Sequence, residues 1–389
     1  MRTEKLNRLE EVLRESVENK EIAGANLCVM YQGKEIYYAQ AGMADIAHNR
    51  PVKKDTIFRL YSMSKPVTAA AVMKLVEQGV IDLLDPVAKF IPEFANMTVV
   101  SGDTQQPANR QITIKDCMNM TSGLTYGGDD PAAKDVEKLC TEIIDRLYSE
   151  HPMTTLEFAK KLAGCRIAFQ PGTEWRYGTS ADLLGAVVEV ASGMRFSEYL
   201  QKEFFGPLGM TDTGFSVPAD KRDRLAVIYE TTPDGLIEFH ENHLGICNHM
   251  DADILFESGG AGLVSTIQDY QKFTQMLLNN GTYNGKEYLA PKTVAYLTGC
   301  TLLPHQHAYM EGWDNLPGFS YGNLMRVMVD PSLAVINGSA GEYGWDGWLG
   351  PYFSNMPEHN CTFLMMVQKR DAGTFTLTRK LRNVLAAAL

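Results

Sequence analysis

The sequence predicts an α/β protein (α+β in some schemes) with two parts: an antiparallel sheet flanked by helices, and a mainly helical lobe. Three observations lead there. The chain has 389 residues, 45% of them hydrophobic, and above roughly 250–300 residues such chains usually divide into more than one packed unit. Strand signals lie near both ends, while the middle carries helical spacing. Apolar-faced helices stand at both termini. The simplest assembly joins residues 1–85 and 255–389 into one discontinuous sheet domain and leaves 86–254 as the helical domain, with the active site in the cleft between them.

In chain order, Leu6, Leu9, Leu13 and Val17 share one side of a charged helix. Lacking the continuous apolar segment of a secretory signal, this start reads as mature and cytoplasmic. Residues 24–41 alternate around Gln32-Gly33, with Leu27, Val29, Ile36 and Tyr38 flanking a two-residue turn. Val136, Leu139, Cys140, Ile143, Ile144 and Leu147 keep a three-four spacing, and Leu183, Leu184, Val187, Val188 and Ala191 repeat it before Gly193, a C-terminal stop. Thr266 with Asp269 resembles a capping box for a helix running through Leu278. Cys361 to Gln368 reads as a buried strand, and residues 375–388 as the last helix. Polar or Gly/Pro-rich connections fall near 101–110, 126–134, 214–236 and 302–320.

Bulk properties exclude several partners. A formal net charge of −11 disfavours nucleic acid and anionic membrane, since phosphate binding needs a concentrated basic face. No apolar stretch approaches the roughly 18–20 residues of a membrane span. The seven cysteines are odd in number and never in Cys-x-x-Cys spacing, so they read as buried thiols in a reducing compartment. Neither a dinucleotide-binding nor a phosphate-loop motif is present, so no cofactor is expected. Metal is not expected either: His240, His243 and His249 do not form His-Glu-x-x-His and lie in a loop-like segment, and His305 with His307 alternates as a surface segment would. The sequence carries no Gly-x-Ser-x-Gly elbow of a Ser-His-Asp hydrolase.

The chemistry concentrates at Ser62-Met63-Ser64-Lys65. Residues three apart on a helix share a face, so a hydroxyl and an amine there come within hydrogen-bonding reach. A serine attacks only once something takes its proton, and a lysine takes it only if a dry or cationic setting lowers its pKa from about 10.4 toward neutrality. Val67, Ala69, Ala70, Val72 and Met73 supply an apolar setting. Free amides and the positive dipole end at the helix start favour an oxyanion at Ser62. Taken alone, the pattern also fits a serine cap beside a surface lysine.

Four further motifs follow in order: Met120-Thr121-Ser122-Gly123-Leu124; Pro171 to Ser180 with Tyr177; Ser258 to Thr266; and Gly344-Trp345-Asp346-Gly347-Trp348-Leu349-Gly350. Together with Ser62 to Lys65 they resemble the penicillin-recognising serine hydrolases, specifically the class C β-lactamase-like branch that includes family VIII carboxylesterases and related acyltransferases. The likeness runs from about residue 20 to the C-terminus and implies a β-lactamase/transpeptidase-like fold. It also implies that Ser62 is the acylated nucleophile, that Lys65 accepts its proton, and that Tyr177 relays a proton to the leaving group. The Trp345-Asp346-Gly347 element would lie on a strand beside the nucleophile, with Gly347 letting substrate approach the backbone and the Trp348 amide joining that of Ser62 as the oxyanion hole. Tyr126 would line the acyl pocket, or pack as a loop tyrosine on the helical lobe. Arg59, Ser64 and Glu257 receive no task beyond Ser64 supporting the helix start.

Two departures bear on substrate. Thr179 stands where lactamases carry an asparagine that orients the acyl side chain. Asp346 stands where a threonine beside a lysine would receive a β-lactam carboxylate. Losing a charge-assisted hydrogen bond forfeits roughly 1.5–3 kcal/mol, and a facing carboxylate adds repulsion. The expectation is a serine hydrolase of small acyl esters with weak or no β-lactamase activity. An acyltransferase or D-amino-acid peptidase of the same family, and a non-catalytic ligand-binding receptor, are the alternatives. The expected partner is a small-molecule acyl substrate; the sequence does not set the oligomeric state.

Overall fold

The computed structural model describes residues 1–389 except Asp103, Ala252, Asp253, Cys300, Glu311 and Asp314. Its centre is an eight-stranded antiparallel sheet. From the N-terminal side come β1 (Gly24–Tyr31), β2 (Lys34–Asp45) and β3 (Arg50–Pro51); from the C-terminal side come β4 (Phe319–Gly322), β5 (Met325–Met328), β6 (Tyr343–Asp346), β7 (Tyr352–Met356) and β8 (Cys361–Val367). The strands lie in the order β4-β5-β6-β7-β8-β1-β2-β3, so the first strand pairs with the last, Ala25 opposite Val367 and Tyr31 opposite Cys361. The expected hairpin turns on Gln32 and Gly33, both at positive φ (50° and 76°), the geometry that matches strand twist.

The period of two in these strands sorts side chains onto two cores. On one face Leu27, Val29, Phe363 and Met365 pack with Leu6, Leu9 and Leu13 of α1 (Asn7–Glu18) and with Leu377, Leu381 and Leu385 of the C-terminal helix (Thr376–Ala386). On the other, Cys28, Leu364 and Met366 join the larger core containing α2 (Ser64–Glu77). Because α2 is covered on all sides, residues Ser64 to Met73 are buried without an amphipathic stripe. Against it pack α4 (Ser180–Ser192), closed by Gly193 in the left-handed conformation, and the helix Pro291–Gly299, while α5 (Ile267–Leu278) packs on β8, β7 and β1; α3 (Pro131–Arg146) lies between α2 and α4 in the chain. The middle of the chain also holds two short hairpins, Thr98–Ser101 with Thr104–Pro107 and Tyr229–Thr232 with Gly235–Glu238.

The capping box at Thr266 is only half formed. The Thr266 side chain accepts from the Asp269 amide, but Asp269 accepts from the Asp212 amide at 2.7 Å and from the Thr213 hydroxyl instead. A long-range partner therefore displaced the local one. Cys28, Cys117, Cys165, Cys247 and Cys361 are buried free thiols and Cys140 is half-buried; Cys300 lies outside the described residues. Among the described residues no helix is long and apolar enough to cross a membrane.

Candidate active site

The segment entering α2 is held from several directions. Phe58 and Arg59 pair with Ser265 and Val264, and the Leu60 amide donates to the Leu263 carbonyl at 2.8 Å. The buried Arg59 guanidinium donates to the carbonyls of Asn248 and Ala226, and Gln368 brackets its backbone with bonds of 3.1 and 3.0 Å. Three distant pieces of chain are thereby fixed to one residue. Tyr61 follows at φ +45°, a left-handed conformation that costs a bulky residue of order 1–3 kcal/mol and turns the chain sharply at the next position. That position is Ser62, in a single 3₁₀ turn (Tyr61–Met63) ahead of α2 rather than inside the helix. Ser64 does support the helix start: its hydroxyl accepts from the Leu263 amide at 3.0 Å.

One turn on, the fully buried Lys65 places its Nζ within reach of three acceptors: Ser62 Oγ at 3.1 Å, Tyr126 Oη at 3.0 Å and the Gly260 carbonyl at 2.9 Å. Burial disfavours the ammonium form and lowers the lysine from its ordinary 10.5 to about 7, with the negative charges of Asp182 and Asp346 opposing part of that fall.

Tyr126 is carried on the tract from Met120, which is tied to the start of α4. Ser122 and Ser180 share a hydroxyl bond of 2.8 Å, and the Thr179 hydroxyl donates to the Thr125 carbonyl at 3.3 Å. Gly178 permits this approach, since a Cβ there would meet the Leu124 carbonyl at 2.4 Å. Tyr177 sits beside this junction. The Lys65 nitrogen stands 4.5 Å from the centre of its ring, and its Oη accepts from the Trp345 indole N–H at 2.9 Å. Burial raises both phenols above their ordinary range, so both are neutral.

Gly347 lies past the end of β6, where a Cβ would fall 2.3 Å from the Leu60 carbonyl and 2.8 Å from the Pro351 ring. Its small size lets the strand end close against the turn that carries Ser62. Trp348 follows, its ring 5.0 Å from Tyr61 and stacked on His243 at 4.0 Å. Among the described residues, the Ser62 and Trp348 amides have no protein acceptor.

Ser62 opens onto a cavity of about 480 Å³ whose lining includes Tyr61, Tyr126, Tyr177, Glu137 and Ile144 of α3, His243 and Trp348. Of the residues assigned to substrate from the sequence, only Tyr126 lines it. Thr179 is buried against Thr125. Trp345 is 1% exposed and acts on Tyr177 instead of on the cavity. Asp346 is turned into the protein, accepting from the Thr374 hydroxyl with Arg326 at 4.0 Å. Sequence reasoning missed Asp182, Gly260, the α3 wall and His243. Asp182 carried a usable signal, an acidic residue heading an otherwise apolar helix five positions after Tyr177. His243, whose spacing in the sequence speaks only to metal, lines the cavity against Trp348.

The sheet order, the strained turn at Ser62 and the buried lysine beneath it define a class, the serine enzymes built on a β-lactamase fold. The chain belongs to the Beta-lactamase family, whose model matches residues 9–388. It is 30% identical over 361 residues to Esterase EstB of Burkholderia gladioli, covering 88% of this chain and 85% of that one. It is 25% identical over 346 residues to the monacolin J acid methylbutanoyltransferase of Aspergillus terreus, covering 84% and 79%. Among solved structures it superposes on "EstCE1, a hydrolase with promiscuous acyltransferase activity" with a TM-score of 0.83 at 24% identity, covering 99% of each chain. The protein is a serine hydrolase of this family.

Proposed function

We propose that the protein is a carboxylesterase acting on small acyl esters through an acyl-enzyme on Ser62. The observation that carries this reading is the Lys65 amine, fully buried, 3.1 Å from Ser62 Oγ and poised near neutrality by burial. In acylation the neutral amine takes the Ser62 proton as Oγ attacks the ester carbonyl. The carbonyl oxygen becomes an oxyanion facing the Ser62 and Trp348 amides, two donors of the kind whose single loss typically costs about 3–4 kcal/mol of transition-state stabilisation. The Lys65 proton then passes to the departing alkoxide, directly or across the Tyr177 hydroxyl. Water, with its proton taken by Lys65, cleaves the acyl-enzyme and regenerates Ser62. Because burial keeps Tyr177 neutral, it serves this sequence as a proton donor and relay, with Lys65 as the base.

The cavity favours neutral substrates over β-lactams. The one ionisable carboxylate on its lining is Glu137, and His243 is kept neutral by burial. Arg326 is buried, donates to the Phe353 carbonyl and stacks over Tyr352, so it is not available to a substrate carboxylate. The relatives' names supply a second reading within the same chemistry, transfer of the acyl group to an alcohol instead of water.

The test is covalent labelling with a fluorophosphonate, together with rates on p-nitrophenyl butyrate and nitrocefin. Labelling lost in Ser62→Ala, with the ester cleaved far faster than the lactam, is expected. An unlabelled wild-type protein supports a binding receptor and overturns the proposal; comparable rates overturn the substrate preference. Butyryl transfer to added alcohol in preference to water decides for the second reading.

A further inference from the structure

The catalytic reading leaves unused a buried carboxylate whose charge acts on Lys65. Asp182, in the first turn of α4, is 3% exposed. It accepts from the Ser258 hydroxyl and, at 3.0 Å, from the Gly260 amide. The Ser258 hydroxyl also accepts from the Ala261 amide at 2.9 Å, and Gly260 itself fits only because it lacks a Cβ, which would stand 2.7 Å from Asp182 Oδ2. The carbonyl of the same Gly260 accepts from Lys65 Nζ at 2.9 Å. One residue thus has its N–H held by Asp182 and its C=O held by the proposed base.

We propose that Asp182 is a positioning residue for Lys65: it fixes the Ser258–Gly260 turn so that the Gly260 carbonyl aims the amine at Ser62, and its carboxylate is the balancing charge inside the lysine's dry chamber. The inference rests on the assignment of Lys65 as base. Two features separate this role from an ordinary helix-start acid. Helix-dipole acids are exposed and worth a few tenths of a kcal/mol to about 1 kcal/mol, whereas this one is buried and spends its hydrogen bonds on another segment. Burying a carboxylate is costly unless it is hydrogen-bonded and faces a positive charge; burial raises Asp182 above its ordinary value, and Lys65 is the cation whose field opposes that rise.

The groups around the amine are few: Ser62, the phenols of Tyr126 and Tyr177, Asp182 from α4 and Asp346 from β6. Around Asp182 stand Ser258, the Gly260 amide, Lys65, Tyr126 and Cys140. Both phenols and the thiol are held neutral by burial, so within this set the carboxylates oppose the ammonium's loss of its proton.

The experiment is Asp182→Asn in the full chain. The amide keeps the shape and an acceptor for Ser258 and Gly260 while removing the charge, so the ammonium form of Lys65 loses support. The acid limb of kcat/KM for p-nitrophenyl butyrate should move about one pH unit lower than in wild type, with plateau kcat reduced and KM little changed. An unmoved acid limb in a variant whose melting temperature is near wild type overturns the inference. Should Asp182→Asn not fold, Ser258→Ala removes one bond of the brace and keeps the charge. Its kcat should fall about fivefold at unchanged KM, and an unchanged kcat overturns the inference. Failure of the esterase reading looks different: the wild-type protein itself then shows neither labelling nor an acid limb.

Discussion

If Lys65 is the base, activity should follow the deprotonation of one amine whose pKa the fold has set. With the lysine at about 7, half of the molecules carry a neutral amine at that pH, and each unit of acidification below it removes activity about tenfold. A solution-like lysine would leave only about one molecule in three thousand competent at pH 7. The fold maintains that difference at a cost of about 5 kcal/mol in the ammonium form. The perturbations are pH itself and Lys65→Arg, whose guanidinium stays protonated throughout. Pre-steady-state release of p-nitrophenol from p-nitrophenyl butyrate between pH 5 and 9 reports acylation directly. The burst rate should climb tenfold per unit up to about neutrality and then level, and the arginine variant should lose about three orders of magnitude at pH 7. A flat profile from pH 5.5 to 8.5, or an arginine variant within tenfold of wild type, would refute the assignment.

Other expectations concern neighbouring parts of the molecule. Lys65→Met should abolish activity; at pH 6 removing the buried ammonium should raise thermal stability, less the part offset by leaving Asp182 without its facing cation. The penalty on the buried ammonium is fully present below the folded pKa of about 7 and is relieved as pH rises toward 10.5, where the unfolded chain holds the extra proton, so the gain should shrink by pH 9. A gain independent of pH would contradict the buried-charge argument. Trp345→Phe removes the donor to Tyr177 Oη at 2.9 Å and should lower kcat about tenfold with little change in KM or melting temperature, as checked by steady-state kinetics and calorimetry. Far from the cavity, Arg382 pairs through Nη2 with both Glu342 oxygens at 2.7 Å, each side chain 1% exposed. Arg382→Met strands the carboxylate and should cost about 3–5 kcal/mol in urea unfolding while leaving kcat per folded molecule intact. Gly347→Ala forces a methyl against the Leu60 carbonyl and should reduce both soluble yield and the acylation burst.

Much of the architecture was legible because it rests on local periodicity. The Gln32-Gly33 turn, the alternation around it, the apolar run of β8 and the three-four spacing of α3 and α4 are patterns a chain carries whatever surrounds it. The nucleophile motif was equally local, since Ser62 and Lys65 lie one turn apart and their meeting requires only that the turn form. The half-formed capping box at Thr266 marks where local reasoning ends. Asp269 had a sequence neighbour to bond and took Asp212 instead, because a buried carboxylate is satisfied by whichever donors the fold delivers.

The sequence by itself therefore determined the N-terminal hairpin, the last strand, the longer helices and a serine with a lysine one turn away, since each depends on residues a few positions apart. Tertiary structure decided what those groups are worth. The burial that brings Lys65 near neutrality, the Gly260 carbonyl that aims it, the Asp182 behind that carbonyl and the indole that steadies Tyr177 arrive from segments tens to hundreds of residues away. A proton's affinity for a site is set by the solvent it loses and the charges it meets, and those are fixed only when the chain has closed around it.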